Sequence, residues 1–284
     1  MLLTEREYLL LGKIKDWEKK LLVNGIHASE YSRYEKWVDF AFEKLPFDKQ
    51  EKFYKMLDQW LFHLHALIQG SQSQNDARKR ILQSVQSQYP YIKEMQDLRN
   101  LPVDQLIYLA EQEISKHRMY SFAQGGLTGT GGFLFMAVDI PLIIAINLRI
   151  VQLISLIYGY ETNSPYGMMT SLKVFHTATL PKSLQGDGWK DLVEDMDESN
   201  DSYFWNEENE RFTDKTWMDL PLKQLLKGMF ILVFRRKLVQ GIPLIGIGIG
   251  AGMNYSITKQ VTDFAHYYYQ LRYLKEKGDL NERY

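Results

Sequence analysis

The stretch that most constrains this chain runs from Gly125 to Arg149 and reads GGLTGTGGFLFMAVDIPLIIAINLR. Glycines and threonines open it, an apolar run follows, and an aspartate and an arginine sit inside that run. A Walker-type phosphate loop needs a lysine directly after its last glycine, to reach the terminal phosphates. The next lysine after Gly125 is Lys173, so that chemistry is excluded. The dinucleotide fingerprint fails as well, because Leu134 stands where the third glycine belongs. A membrane span fits poorly. The uncharged run from Gly125 stops at Val138, short of the roughly 20 residues a span takes, and a charge at the bilayer centre costs about 3 kcal/mol.

What survives is helical packing. Asp139 reads as the N-cap of a helix that Pro141 begins, since proline is tolerated in a first turn. That helix is expected to run through Leu156 and to stop at Gly159, a natural position for a left-handed C-terminal glycine. Ala145, Arg149, Gln152 and Ser155 step along it as one narrow small or polar stripe on an aliphatic helix. The same break recurs downstream, where Ile140-Pro141-Leu142-Ile143 is echoed by Ile242-Pro243-Leu244-Ile245. Small residues four apart, Gly125/Gly129, Gly246/Gly250 and Gly248/Gly252, let helix backbones approach closely. Gly246, Gly248 and Ala251 also match a dinucleotide pattern, but Pro243 interrupts the strand that pattern requires and too little chain follows. The expected architecture is an all-α, multi-helix bundle with two Gly-rich, apolar, broken-helix hairpins packed together.

The remaining chain reads as helices around that core. Leu10, Ile14, Trp17 and Leu21 keep helical spacing up to Asn24-Gly25. Pro46 ends a second helix, and Asp48 is a candidate cap for a third. That third helix carries Phe53, Met56, Leu57, Trp60, Leu61 and Leu64 on one face. Gly70 to Asp76 reads as a loop. Asp104 opens a helix expected from Gln105 to about Ser121, and the segment around Leu172 to Leu180 reads as another helix. Residues 1–124 form an N-terminal helical region and 125–284 the apolar core, interrupted by an acidic insertion at 183–217 that we expect to be mobile. That insertion carries 11 acidic against 3 basic residues, whereas 218–284 carries 10 basic against 5 acidic. The basic charges, Arg235, Arg236 and Lys237 among them, flank an apolar run instead of lining a polar groove. They suit an anionic membrane surface better than nucleic acid.

Chemistry-bearing patterns are sparse. The chain has no cysteine, which excludes disulfides, thiolate catalysis and cysteine-zinc sites. His63 and His65 are two apart, not the four a helical zinc pair requires. Asp197, Ser199, Asp201 and Glu208 fall at calcium-loop positions, but Ser202 occupies the place that demands glycine. Asp263 and His266 are three apart on a helix and read as a structural pair. No G-x-S-x-G elbow occurs. The N-terminus lacks the apolar core of a secretory signal. Asp139 and Arg149 are the most unusual residues. They are too far apart on one helix to pair, so each acts either as a structural cap or tie, or as a polar contact lining a lipid or ligand cleft.

Two separated blocks carry a family resemblance. GGLTGTGGFLFMAVDIPLIIAINLRIVQLISLIYGY resembles the core signature of the EcsC protein family, with the Gly/Thr entry from Gly125 to Gly132, then Asp139 with Pro141, Arg149, and Tyr158-Gly159. LVQGIPLIGIGIGAGMNYSITKQVTDFAHYYYQLRYL is similar to its C-terminal signature through Pro243, Gly246, Gly250, Asn254, Ala265, Tyr268 and Arg272. The helix around Trp17 also fits. The resemblance implies a Gram-positive bacterial source and membrane association. The family takes its name from an operon that also encodes subunits of an ABC-type transporter. No catalytic residue comes across with it.

These readings together describe a non-enzymatic, membrane-associated accessory protein, peripheral or partly inserted on the cytoplasmic side of the cell membrane. It needs no cofactor or metal. Its expected partners are membrane lipid or a membrane protein such as an ABC transporter subunit, with a second copy of the chain as a further candidate and nucleic acid excluded. Asp139, Arg149, Gln152, Arg235, Arg236, Lys237 and Asn254 are the candidate lipid- or partner-facing residues, and Gly125, Gly129, Gly246 and Gly250 the packing residues. A soluble helical domain that binds a lipid between the hairpins is one alternative, an uncharacterised hydrolase another.

Overall fold

The computed structural model describes residues 3–23, 40–56 except 41 and 52, 72–162 except 129–131, 164–198 except 181, residue 227, and 246–282. Its helices are α1 (Glu5–Val23), α2 (Gln72–Gln86), α3 (Val103–Thr128), α4 (Gly132–Ile157), α5 (Pro165–Thr179), α6 (Lys182–Glu198) and α7 (Gly246–Glu282), with a 3-10 turn at Gln96–Asn100. Among the described residues there is no strand, as the periodicity predicts.

The centre of the molecule is the trio α3, α4 and α7. Helix α7 runs antiparallel along α3. Ser121 meets Thr258 and Arg118 meets Thr262, while Gly125 lies against Gly250 and Asn254. A β-carbon on Gly125 would collide with the Gly250 carbonyl group and come within 2.9 Å of Asn254 Cβ, so only glycine allows this backbone-to-backbone approach. That contact also explains why α3 does not stop near Ser121. Its glycines are a packing surface, and the helix continues to Thr128 across the division at residue 124.

Two sequence expectations about α4 meet different outcomes. Its end is as expected. Gly159 takes a positive φ of 81°, Gly159 N donates to Leu156 O and Tyr160 N to Ser155 O, which is the paired hydrogen-bond pattern of a Schellman close. Its start is not. The helix begins at Gly132 and passes through Asp139 and Pro141 without a break, so Asp139 is no N-cap and the first hairpin is made by α3 and α4, not by a break at Pro141. A proline inside a helix removes one hydrogen bond at a cost of about 3 kcal/mol. Beyond the proline, Ile143, Ile144, Ala145 and Leu148 are buried, and tertiary packing of this kind stabilises a helix more than propensity does.

The shorter helices wrap one end of the trio. Thr4 N donates to Glu7 Oε2 at 2.9 Å and Glu7 N to Thr4 Oγ1 at 3.3 Å, a reciprocal capping box that opens α1. Leu10 and Ile14 are buried below it. Trp17 stacks on Tyr267 at 4.5 Å and meets Trp189 edge-on at 4.8 Å. Trp189 is fully buried, packs on Phe264, and donates its indole N–H to Glu18 at 2.8 Å.

Trp189 belongs to α6, and α6 corrects the expectation of a mobile acidic insertion. Residues 182–198 form a packed helix because Leu184, Trp189, Leu192, Val193 and Met196 gather on one face, with the acidic residues around it. The rest of that acidic segment lies outside the described residues, as does most of the Asp197–Glu208 stretch. A second correction concerns Gln72 to Asp76, read as loop but helical in α2. Ala77, Ile81 and Val85 bury one stripe, and Asn75 and Asp76 just ahead of it are exposed.

Candidate functional site

Three groups of residues on and beside α3, α4 and α7 carry the main polar and exposed apolar features. The first is a spine on α7. Asn254, Thr258, Thr262, His266 and Gln270 recur every fourth residue, so they share one face. Asn254, Thr258, Thr262 and Gln270 are buried. Ser121 and Thr258 hydroxyls bond at 2.6 Å. Arg118 donates from Nε and Nη2 to Thr262 Oγ1 at 2.9 and 2.7 Å, and from Nη2 to Asp263 Oδ1 at 2.6 Å. Lys259 Nζ reaches the other Asp263 oxygen at 2.6 Å.

His266 does not pair with Asp263. Its Nε2 sits 3.0 Å from the Tyr158 hydroxyl and 2.9 Å from Gln270 Nε2. Burial pushes its pKa down to about 4, against the opposing pull of the Asp263 carboxylate and with a smaller push from Arg118, so at neutral pH the ring is uncharged. Burial likewise raises the Tyr158 phenol far above its ordinary value, which keeps it a donor. The ring nitrogen is thus enclosed by the Tyr158 hydroxyl and the Gln270 amide. Nor does any group of three or more His, Asp or Glu side chains among the described residues converge as metal ligands would.

The second group is a clamp on Tyr160. The guanidinium groups of Arg272 and Arg99 lie over its ring at 4.1 and 4.6 Å. Both also bond the Glu276 carboxylate, Arg272 Nε at 2.9 Å. A side chain at Gly159 would strike the Arg99 stem. This gives the Tyr158-Gly159 step a physical role: the left-handed turn closes α4 and lets Arg99 pass to the clamp.

The third group is the end of the trio where α3 finishes and α7 starts. From Met119 to Thr128 on α3, and from Gly246 to Thr258 on α7, there is no charged residue. Met119, Tyr120 and Phe122 are 63%, 62% and 48% exposed. Tyr255 is also exposed and meets Phe122 edge-on at 6.4 Å. The charged network of Arg118, Lys259 and Asp263 closes this apolar end. Among the described residues no helix is long and apolar enough to cross a membrane.

The candidate residues from the sequence fall unevenly on this frame. Gln152 and Asn254 are buried, at 3% and 1% exposure, Asn254 directly beneath Gly125. Arg149 is part-buried, its Nε is enclosed without a hydrogen-bond partner, and burial holds its guanidinium below the ordinary value. Two residues away, Asn147 donates to Ile143 O at 2.7 Å, but its Oδ1 is buried and unmatched. Asp139 is helical in its backbone, and its side chain lies outside the description. Gly246 opens α7 and Gly250 faces Gly125. Gly129, Arg235, Arg236, Lys237 and the Gly241-Ile242-Pro243 break lie outside the described residues. Sequence reasoning missed the α7 spine and the belt residue Arg118. The fourfold spacing from Asn254 to Gln270 was the available signal.

Comparison with known proteins gives a consistent answer. The sequence profile described as the EcsC protein family matches residues 10–274. The chain is 23% identical over 296 residues to the uncharacterized protein YdbA of Bacillus subtilis (strain 168), covering 99% of this chain and 98% of that protein. It is 24% identical over 201 residues to protein EcsC of the same organism, covering 70% of this chain and 76% of that protein. No solved structure matches.

Proposed function

The chain belongs to the EcsC protein family, and from that premise we propose that it is a non-enzymatic, membrane-associated accessory protein. It docks peripherally, or with one end partly inserted, at the cytoplasmic face of the cell membrane. The observation that carries this reading is the charge-free end of the α3–α7 pair, with Met119, Tyr120, Phe122 and Tyr255 turned outward. Clustered exposed apolar side chains of this kind mark membrane or partner surfaces, and aromatic residues favour the headgroup level of a bilayer. The charged belt behind them suits the water side. Lipid is the proposed partner. An ABC-type transporter as the membrane protein served is part of the proposal that rests on the family's operon alone.

The close approach of Gly125 to Gly250 leaves no room for a ligand between those helix faces, which weighs against a lipid held between the hairpins. Flotation of the purified full chain with vesicles containing phosphatidylglycerol tests the reading. Wild-type protein is expected to float and Phe122→Asp to remain at the bottom with an unchanged unfolding curve. Wild-type protein that ignores the vesicles at low salt overturns it.

A further inference from the structure

We propose that Arg149 binds the phosphate of a phospholipid headgroup at the base of the apolar end. This inference rests on the membrane-docking reading and names the group that end would meet. It starts from an imbalance among the arginines. Arg6, Arg78, Arg99, Arg118 and Arg272 each lie on a carboxylate, those of Asp104, Glu161, Glu276, Asp263 and Glu276. Among the described residues no carboxylate pairs with exposed Arg80 or with Arg149, and of these two only Arg149 is part-buried, its Nε enclosed with no acceptor. A guanidinium presents a planar fork of donors that matches phosphate oxygens two at a time. Leaving the Nε donor of that fork unmatched in a part-buried position has a cost that an anion would remove.

Position points to the kind of anion. Side chains on a helix tilt toward its N-terminus. Helix α4 starts at the apolar end, so Arg149 leans back toward that end. Its charge bears on His117, the residue that directly precedes Arg118. Arg149 therefore stands near the level of the belt formed by Arg118, Lys259 and Asp263, where cations outnumber carboxylates. The neighbouring Glu113 is already held by Lys116 at 2.6 Å. Ahead of the belt, α3 from Met119 to Thr128 is charge-free. At 1.5 Å per residue that is about 15 Å, close to half of a hydrocarbon core of about 30 Å. If the charge-free part of the α3–α7 pair enters one leaflet, Arg149 arrives among the phosphates.

Vesicle binding by wild type, Arg149→Gln and Arg149→Lys tests this. Two surfaces are compared, phosphatidylglycerol vesicles and phosphate-free digalactosyldiacylglycerol vesicles. The expected result is that Arg149→Gln weakens binding to the phospholipid about fivefold and leaves galactolipid binding unchanged, with Arg149→Lys between. Equal affinity of wild type and Arg149→Gln for the phospholipid overturns the inference while leaving membrane docking intact. Failure of wild type to bind either surface overturns docking itself. Inorganic phosphate that raises the melting temperature of wild type, but not of Arg149→Gln, without vesicles would overturn the headgroup as the source in favour of a free anion. Should Arg149→Gln fail to fold, the Arg149→Lys variant decides, because a monodentate ammonium must still bind phospholipid more weakly than wild type.

Discussion

Helices α3, α4 and α7 have two ends, and the contrast between them is the most instructive property of the molecule. One end is tied together by ring packing and ion pairs. Trp17, Trp189, Phe264 and Tyr267 interlock, Glu7 bonds Lys277 at 2.5 Å, and Tyr160 sits between two arginines that share one carboxylate. At the other end α3 and α7 meet glycine to backbone, carry no charge there, and turn aromatic side chains outward. The first pattern is that of a region which holds the fold. The second is that of a region with surface left to cover, which is where binding is expected.

Substitutions can break or sharpen this contrast. Trp189→Ala should do the most damage, about 3–5 kcal/mol for a buried aromatic ring, read as a shift of the urea midpoint. A smaller loss than Phe122→Asp gives would refute the division. Gly125→Leu should cost about 3 kcal/mol, since the new side chain meets backbone that cannot swing aside. Thermal unfolding measures it, and a neutral result would mean that the two helices are not locked at this point.

Glu7→Gln should cost about 2 kcal/mol near neutrality. Burial alone would raise the Glu7 carboxyl, but the Lys277 ammonium and the Thr4 N–H hold it below its ordinary value of 4.5. A depressed carboxyl contributes stability that is present above its unfolded value and lost as pH falls through the folded one. Wild type should therefore lose stability below about pH 4.5 more steeply than Glu7→Gln, as denaturant titrations at stepped pH would record. Phe122→Asp should have the smallest effect on stability, within about 0.5 kcal/mol for an exposed site. It is nevertheless the variant expected to abolish vesicle flotation, and a large stability loss instead would place Phe122 in the core.

How much of this was legible depended on whether the signal was local. The spacing of Leu10, Ile14, Trp17 and Leu21 gives α1, and Gly159 gives the end of α4, because helix periodicity and a left-handed turn are properties of a few adjacent residues. Pro141 misled for the same reason. Locally it reads as a helix start, while the packing that carries α4 through it comes from other elements. The acidic residues of 182–198 outweighed Leu184, Trp189 and Leu192 in composition, although those three define the buried face. For the candidate site, Arg149 and Asn254 were visible as polar residues in apolar runs. The belt was not, because Arg118 and Asp263 are 145 positions apart and nothing near either one names the other.

The tie between Glu7 and Lys277 spans 270 positions, and Trp17 likewise depends on Phe264 and Tyr267. A helix translated early in this stretch thus docks on one translated much later. Throughout synthesis α1 must wait with its tryptophan uncovered, and long-range closure of this kind comes late. Truncation a few residues short of Lys277 should therefore leave a chain that has made most of its helices and cannot shut. A stalled nascent chain of this protein is the form in which a chaperone would find it.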